Sequence, residues 1–133
     1  MERAKEDYLR TIYELEEHKN LGVKSVDIAK RLKISKASVS EMLRKLGKEK
    51  LVKIKPYSKI YLTINGKRKA GELFDKYYSI KTFVKKFFKY EHEKAREEAC
   101  KLEHAFSQDS IKIINELIEE GTNKLTALPN YVG

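Results

Sequence analysis

Cysteine is almost missing from this sequence, proline occurs only twice, and no long apolar run interrupts the polar residues. The lone Cys100 cannot close an internal disulfide, so the thiol is a small buried hydrophobe, a reactive group or a metal ligand. No stretch approaches the ~20 apolar residues of a membrane span, and the opening MERAKEDYLR is charged where a secretory signal would be apolar. A cytoplasmic protein with no membrane partner is the expectation. Internal repeats and low-complexity tracts are also absent. An acidic excess is lacking as well: 29 Lys and Arg stand against 20 Asp and Glu, and the formal charge of +9 favours a polyanion such as nucleic acid. With 41% apolar residues in 133, the chain can still bury a core.

Apolar residues at Tyr8, Leu9, Ile12, Tyr13 and Leu15 give residues 3 to 19 the spacing of a helix. A short second helix follows, with Ser25 as its expected cap and Val26, Ile28, Ala29 and Leu32 inward. Ser35 is placed to cap a third, which carries Val39, Met42, Leu43 and Leu46. Only Lys33 and Ile34 separate these two helices, which is the plan of a helix-turn-helix. The stretch LVKIKPYSKIYLTING then alternates apolar and polar residues on both sides of Pro56, Tyr57 and Ser58, the pattern of a two-stranded wing.

From Gly66 a long helical pattern carries Ala70, Leu73, Phe74, Tyr77, Ile80, Val84, Phe87 and Phe88. Two more helices are expected near 91 to 105 and 108 to 120, the latter with Ile111, Ile114, Leu117 and Ile118 in register. The periodicity fades from Gly121. The fold class is therefore mainly α, an N-terminal winged helix-turn-helix over residues 1–64 followed by an all-helical dimerisation domain over 65–133. Three helices with this much apolar surface in ~70 residues bury only part of it alone, so a second copy of the chain is the expected partner. The alternative for KTFVKKFFKY is a membrane surface, but its apolar stripe is assigned to that dimer core.

Around the third helix, Ser35, Lys36, Ala37, Ser38, Ser40 and Glu41 lie off the apolar face and near the end that enters a major groove. Lys36 and Ser38 suit base edges or phosphates, and Glu41 can accept a hydrogen bond from a cytosine amino group. Lys24, Ser25, Arg44 and Lys45 suit phosphates, while Lys53, Lys55, Tyr57, Ser58 and Lys59 make a cationic wing for the DNA backbone.

On a helical wheel of residues 91 to 105, Ala95, Ala99, Leu102 and Phe106 form an apolar stripe with Cys100, Glu103 and His104 together beside it. Thiolate, carboxylate and imidazole at i, i+3 and i+4 can meet on one ion, and this donor set suits borderline divalent metals rather than magnesium or calcium. A cysteine nucleophile with His104 as base is the enzymatic alternative, but no oxyanion hole, orienting third group or substrate pocket is legible, so neither an enzyme nor a small-molecule substrate is expected.

EDYLRTIYELEE, DIAKRLKISKASVSEMLRKL, YLTINGKRKA and EACKLEHAFS together resemble the diphtheria toxin repressor and manganese transport regulator family, over residues 6 to about 118. The resemblance implies a metal-dependent repressor of iron or manganese homeostasis genes that binds a double-stranded operator as a homodimer. It also implies a fourth ligand from the first helix, so that the site is Asp7, Cys100, Glu103 and His104, holding ferrous iron or manganese and tying reader to dimeriser. Cys100 and Arg10 follow the family's iron-responsive branch and Asp7 its manganese-responsive branch. Tyr77, Lys81 and Arg96 stand where the iron branch has ligands of a second site, which implies one ion per subunit. The iron branch's third, barrel-like domain has too few residues here, so the resemblance is to the short two-domain form. The alternative is a metal-independent winged-helix DNA binder whose sensor has decayed.

Overall fold

A computed structural model describes residues 2–19 and 22–127 of the chain. Two compact units divide it, Met1–Phe74 and Asp75–Gly133.

The first unit opens with α1 (Arg3–Lys19), then β1 (Val23–Lys24), α2 (Ser25–Leu32), α3 (Lys36–Lys48), β2 (Val52–Lys55) and β3 (Lys59–Leu62). Its core draws Leu9 and Ile12 from α1, Ile28 from α2, Val39 and Leu46 from α3, and Val23 and Ile60 from the sheet, all essentially without solvent contact. These are the apolar positions of the helical and alternating patterns, so amphipathicity alone sets which faces meet.

Between α2 and α3 the chain turns through Lys33, which adopts the left-handed conformation at φ 58°, while the Ile34 N–H reaches back to the Ala29 carbonyl at 3.1 Å. Such an αL residue closes a helix by satisfying its last carbonyls. Ser35 then caps α3: its Oγ accepts from the Ser38 N–H at 3.1 Å. Ser35→Ala is expected to lower the stability of the unit by about 1 kcal/mol, read as a shift in the urea midpoint of the helical circular dichroism signal.

The wing hairpin pairs β2 with β3 in antiparallel register, Val52 opposite Leu62, Lys53 opposite Tyr61, Ile54 opposite Ile60 and Lys55 opposite Lys59. A short third strand joins it, since β1 pairs Val23 with Ile60 and Lys24 with Lys59, giving the order β1-β3-β2. This strand also corrects the cap of α2. Pairing holds Lys24 extended (φ −93°, ψ 142°), so Lys24 takes the cap position without a side-chain bond and Ser25 becomes the first helical residue.

The long helix α4 (Ile64–Phe87) begins two residues before Gly66 and contributes to both units. Thr63 starts it: its Oγ1 accepts from the Gly66 N–H at 3.0 Å and donates to the Lys50 carbonyl at 2.7 Å. Gly66 serves close approach instead, because a Cβ built there would stand 2.0 Å from the Leu51 carbonyl oxygen.

In the second unit α4 is followed by α5 (His92–Leu102) and α6 (Gln108–Ala127). Its buried residues include Tyr77, Ile80, Val84, Ala95, Ala99, Ile111 and Ile114. The Lys76 ammonium donates to the Phe106 carbonyl at 3.0 Å, and Ser107 Oγ accepts from the Ser110 N–H at 3.1 Å to cap α6. Gly121 lies against Phe87, with an added Cβ only 2.7 Å from the ring. Of the four residues expected in register on α6, Ile111 and Ile114 are buried while Leu117 stays exposed, as do Ile113, Tyr78, Phe87 and Phe88. Among the described residues no helix is long and apolar enough to cross a membrane.

Candidate metal centre and nucleic-acid interface

Helix α5 stops at Leu102, three residues earlier than its periodicity suggests, so Glu103 and His104 stand on the turn that follows. Glu103 keeps helical dihedrals (φ −58°, ψ −30°), and its N–H donates to the Ala99 carbonyl at 3.0 Å. It therefore continues the line Ala95, Ala99, Glu103 at i+4 spacing, and all three are buried. Leu102 and Phe106, expected on that stripe, are only half-buried.

A carboxylate that the wheel puts beside the apolar stripe thus has no solvent exposure. Burying such a charge is costly unless a positive charge answers it. His104 places Nε2 3.3 Å from Glu103 Oε1, so an oxygen and a nitrogen donor converge. Cys100, one turn earlier on α5, is half-buried. In the first unit, Asp7 is half-buried on the second turn of α1. The buried carboxylate and the adjacent imidazole suit a divalent transition ion, whereas the Cys100 thiol, one turn away, is not among the donor atoms the structure draws together.

Arg10 is 5% exposed and donates to Glu14 Oε1 at 2.7 Å, while Arg31 of α2 donates to Glu14 Oε2 at 2.8 Å. One carboxylate thus ties α1 to the first helix of the helix-turn-helix. Sequence reading missed this bridge, although Arg10 and Glu14 at i,i+4 spacing were its visible half.

Tyr77, Lys81 and Arg96 carry chemistry other than metal ligation. Lys81 Nζ lies 5.0 Å from the centre of the buried Tyr77 ring, a cation–π contact. Arg96 donates twice to Glu93 Oε1, at 2.7 and 3.2 Å. The Glu93 hydrogen bond raises the Arg96 pKa above its ordinary value, against the opposing effect of burial and with help from the charges of Glu93, Cys100 and Tyr77.

Ser35, Lys36, Ala37, Ser38, Ser40, Glu41, Arg44 and Lys45 are all exposed at and along α3. Lys24 is exposed and Ser25 half-buried where β1 meets α2. On the wing Lys53 and Lys55 are exposed and Lys59 is half-buried. Its tip is a 3-10 turn, Pro56–Ser58, in which Tyr57 has φ 67° and 95% exposure; the Ser58 side chain lies outside the described part of the structure. A non-glycine residue in this region is uncommon, and here the backbone aims an aromatic ring away from the sheet.

A helix-turn-helix with a cationic wing, followed by a helical unit bearing a buried carboxylate–imidazole pair, defines a winged-helix regulator of the metal-responsive class. Residues 1–60 match the model of the iron dependent repressor N-terminal DNA-binding domain, and residues 63–125 match that of the iron dependent repressor metal-binding and dimerisation domain. The chain belongs to the iron-dependent repressor family of metal-dependent, DNA-binding transcriptional regulators. It is 35% identical to an uncharacterised helix-turn-helix transcriptional regulator of Methanocaldococcus jannaschii, over 94% of this chain and all of that protein. It is 31% identical to the transcriptional regulator MntR of Bacillus subtilis, over 86% of this chain and 79% of that one. Among solved structures it is similar to the manganese regulator SloR, with 33% identity and a TM-score of 0.76 over 86% of this chain and 53% of SloR. The chain spans about half the length of the diphtheria toxin repressors it matches, as in Corynebacterium efficiens, where it covers 50%.

Proposed function

We propose that this chain is a cytoplasmic, homodimeric repressor that engages a double-stranded operator when one divalent transition ion per subunit is held by Asp7, Cys100, Glu103 and His104. The observation that carries the reading is the fully buried Glu103 with His104 Nε2 3.3 Å away. Solved relatives support the choice of ion: a manganese-dependent repressor has been crystallised with manganese, and ScaR with zinc and with cadmium. Tyr77, Lys81 and Arg96 support a single ion, because two of them are cations and the third is a buried phenol.

Residues 1–64 act as the reader and 65–133 as the dimeriser. The exposed Tyr78, Phe87, Phe88, Ile113 and Leu117 support burial of α4 and α6 against a second copy. The ion supplies positive charge and a shared coordination sphere. Asp7 brings α1 to that sphere, Glu103 and His104 bring the turn after α5, and the Glu14 bridge passes the position of α1 to α2. Two readers held at one separation can engage both half-sites of an operator. A hundredfold metal effect on DNA affinity corresponds to ~2.7 kcal/mol of coupling, within the usual range for linked sites. The role is regulatory and calls for no turnover.

The test is fluorescence anisotropy of a promoter duplex from upstream of metal-transport genes, with and without manganese or ferrous iron. The expected result is tightening by tenfold or more with metal and saturation at one ion per chain; equal affinity with and without metal would leave a plain DNA binder. Within that assay Arg44→Ala and Lys45→Ala should each weaken binding to all sequences alike. Each should also make the slope of log affinity against log salt less steep by about 0.9, the signature of one lost phosphate contact. A slope equal to the parent's would remove that residue from the interface.

A further inference from the structure

Behind the wing the first unit holds a hollow that the metal ligands do not use and that shares Lys53 and Lys55 with the wing's DNA-facing lysines. Two adjoining grooves, open to solvent and of about 580 and 710 Å³, share Glu16, Tyr61 and Lys67 in their linings. Each falls in the range of small-molecule sites, roughly 300–1,000 Å³.

The walls are fixed by backbone geometry. Val52, Ile60 and Leu62 are buried, so strand alternation puts Lys53, Lys55 and Tyr61 on the other face of the hairpin. Gly22, at φ 85°, allows the Tyr61 ring to come so near that an added Cβ would meet it at 2.7 Å. Thr63 binds the Lys50 carbonyl, and Gly66 lets the first turn of α4 press on Leu51. That press brings Lys50 and Lys67 to the same hollow.

The charged groups of this largely apolar lining are distributed unevenly. The wing end alone holds Lys50, Lys53 and Lys55, with Lys55 Nζ 4.8 Å from the centre of the Tyr61 ring. The far end alone holds Glu17, Tyr13 and Arg68, and Glu16 and Lys67 stand where the two hollows join. Four ammonium groups around one concavity repel each other and focus a positive potential, which an anion relieves. Lysines serve phosphates as point charges. A duplex backbone offers phosphates in a row and would run into the two carboxylates, whereas a compact ester with one anionic end and one donor-bearing end meets both.

We propose that this hollow binds a small organic phosphate of the nucleoside monophosphate kind, its phosphate among Lys50, Lys53, Lys55 and Lys67 and its amino-bearing end against Glu16 and Glu17. The site does not depend on the metal reading, and through Lys53 and Lys55 it adjoins the wing's DNA contacts.

Calorimetry of the whole protein with adenosine 5′-monophosphate, in the absence of DNA, tests it. Expected are saturable binding at one site per chain and a loss of tenfold or more in the Lys53→Gln/Lys67→Gln variant, both positions being exposed. Inorganic phosphate should bind at least tenfold more weakly than the nucleotide, and Glu16→Gln/Glu17→Gln should erase that difference. Thermal melts matching the parent's would confirm that each variant is folded. The proposal is overturned if the nucleotide does not saturate, if the lysine variant binds it equally well, or if inorganic phosphate binds as tightly. Should the lysine variant instead bind duplex DNA with a salt slope less steep by about two while no nucleotide binds, the hollow belongs to the DNA footprint and the free-ligand site is rejected.

Discussion

Glu103→Ala is expected to abolish metal-stimulated DNA binding, reducing a hundredfold response to less than threefold, while the protein remains a folded dimer. The side chain has no solvent exposure, so a carboxylate there is unfavourable except in answer to positive charge. With the side chain truncated, the apo protein exchanges one buried carboxylate and its contact to His104 for a small void, so its melting temperature should stay within a few degrees of the parent's. Metal binding behaves differently: an oxygen donor disappears from beside His104 Nε2, and affinity for manganese or cobalt should fall by two orders of magnitude or more. Three readouts separate the possibilities: calorimetric metal titration, light scattering for the dimer, and anisotropy for DNA. Unchanged stimulation of DNA binding would remove Glu103 from the site. Glu103→Gln sharpens the result, since it keeps the shape and one oxygen but no charge, and should recover packing without recovering the response.

Gly66→Ala should destabilise the first unit by about 3 kcal/mol, at the upper end of what overpacking costs. The obstacle is the Leu51 carbonyl oxygen, 2.0 Å from the added methyl and part of the backbone, which cannot swing aside as a side-chain tip would. Relief requires α4 to lift from the start of β2, breaking the bond from the Thr63 N–H to the Leu51 carbonyl and disturbing the Thr63 cap. Equilibrium denaturation followed by tyrosine fluorescence measures the loss; a change below 1 kcal/mol would mean that the helix start is free to shift. Gly47→Ala is the control, since its added Cβ would meet nothing within 4 Å.

Much of the first unit was legible because its patterns are long and their ends are marked. α1 runs over the seventeen residues that periodicity assigns to it, Ser35 caps α3, and the hairpin turns at Pro56–Ser58. β1 escaped because two residues carry no period; only its pairing with β3 defines it. Gly66 looked like a helix opener from sequence, yet the cap is Thr63 and the glycine answers a steric demand made by Leu51, which lies fifteen residues away and cannot be read locally.

For the metal centre, spacing on one helix pointed to Cys100, Glu103 and His104, but the wheel assumed a helix that continues to residue 105. Ending at Leu102, it presents Glu103 as the next member of the buried line through Ala95 and Ala99. The wheel puts Glu103 beside the apolar stripe with Cys100 and His104; its burial in line with Ala95 and Ala99 is visible only in the structure. Asp7, by contrast, was suggested by resemblance alone, because one acidic residue among the several of α1 has no periodic mark to set it apart.

Tyr57, with 95% of its surface open at the tip of the hairpin, offers a practical handle. Proteases cut exposed loop tips in preference to packed helices, and the peptide bond after an aromatic residue is what chymotrypsin takes. Brief digestion should therefore split the free protein into two fragments at the Tyr57–Ser58 bond, and occupancy of a promoter should slow that cut. A stained gel would then report whether the protein is on or off its target, with no label attached to either partner.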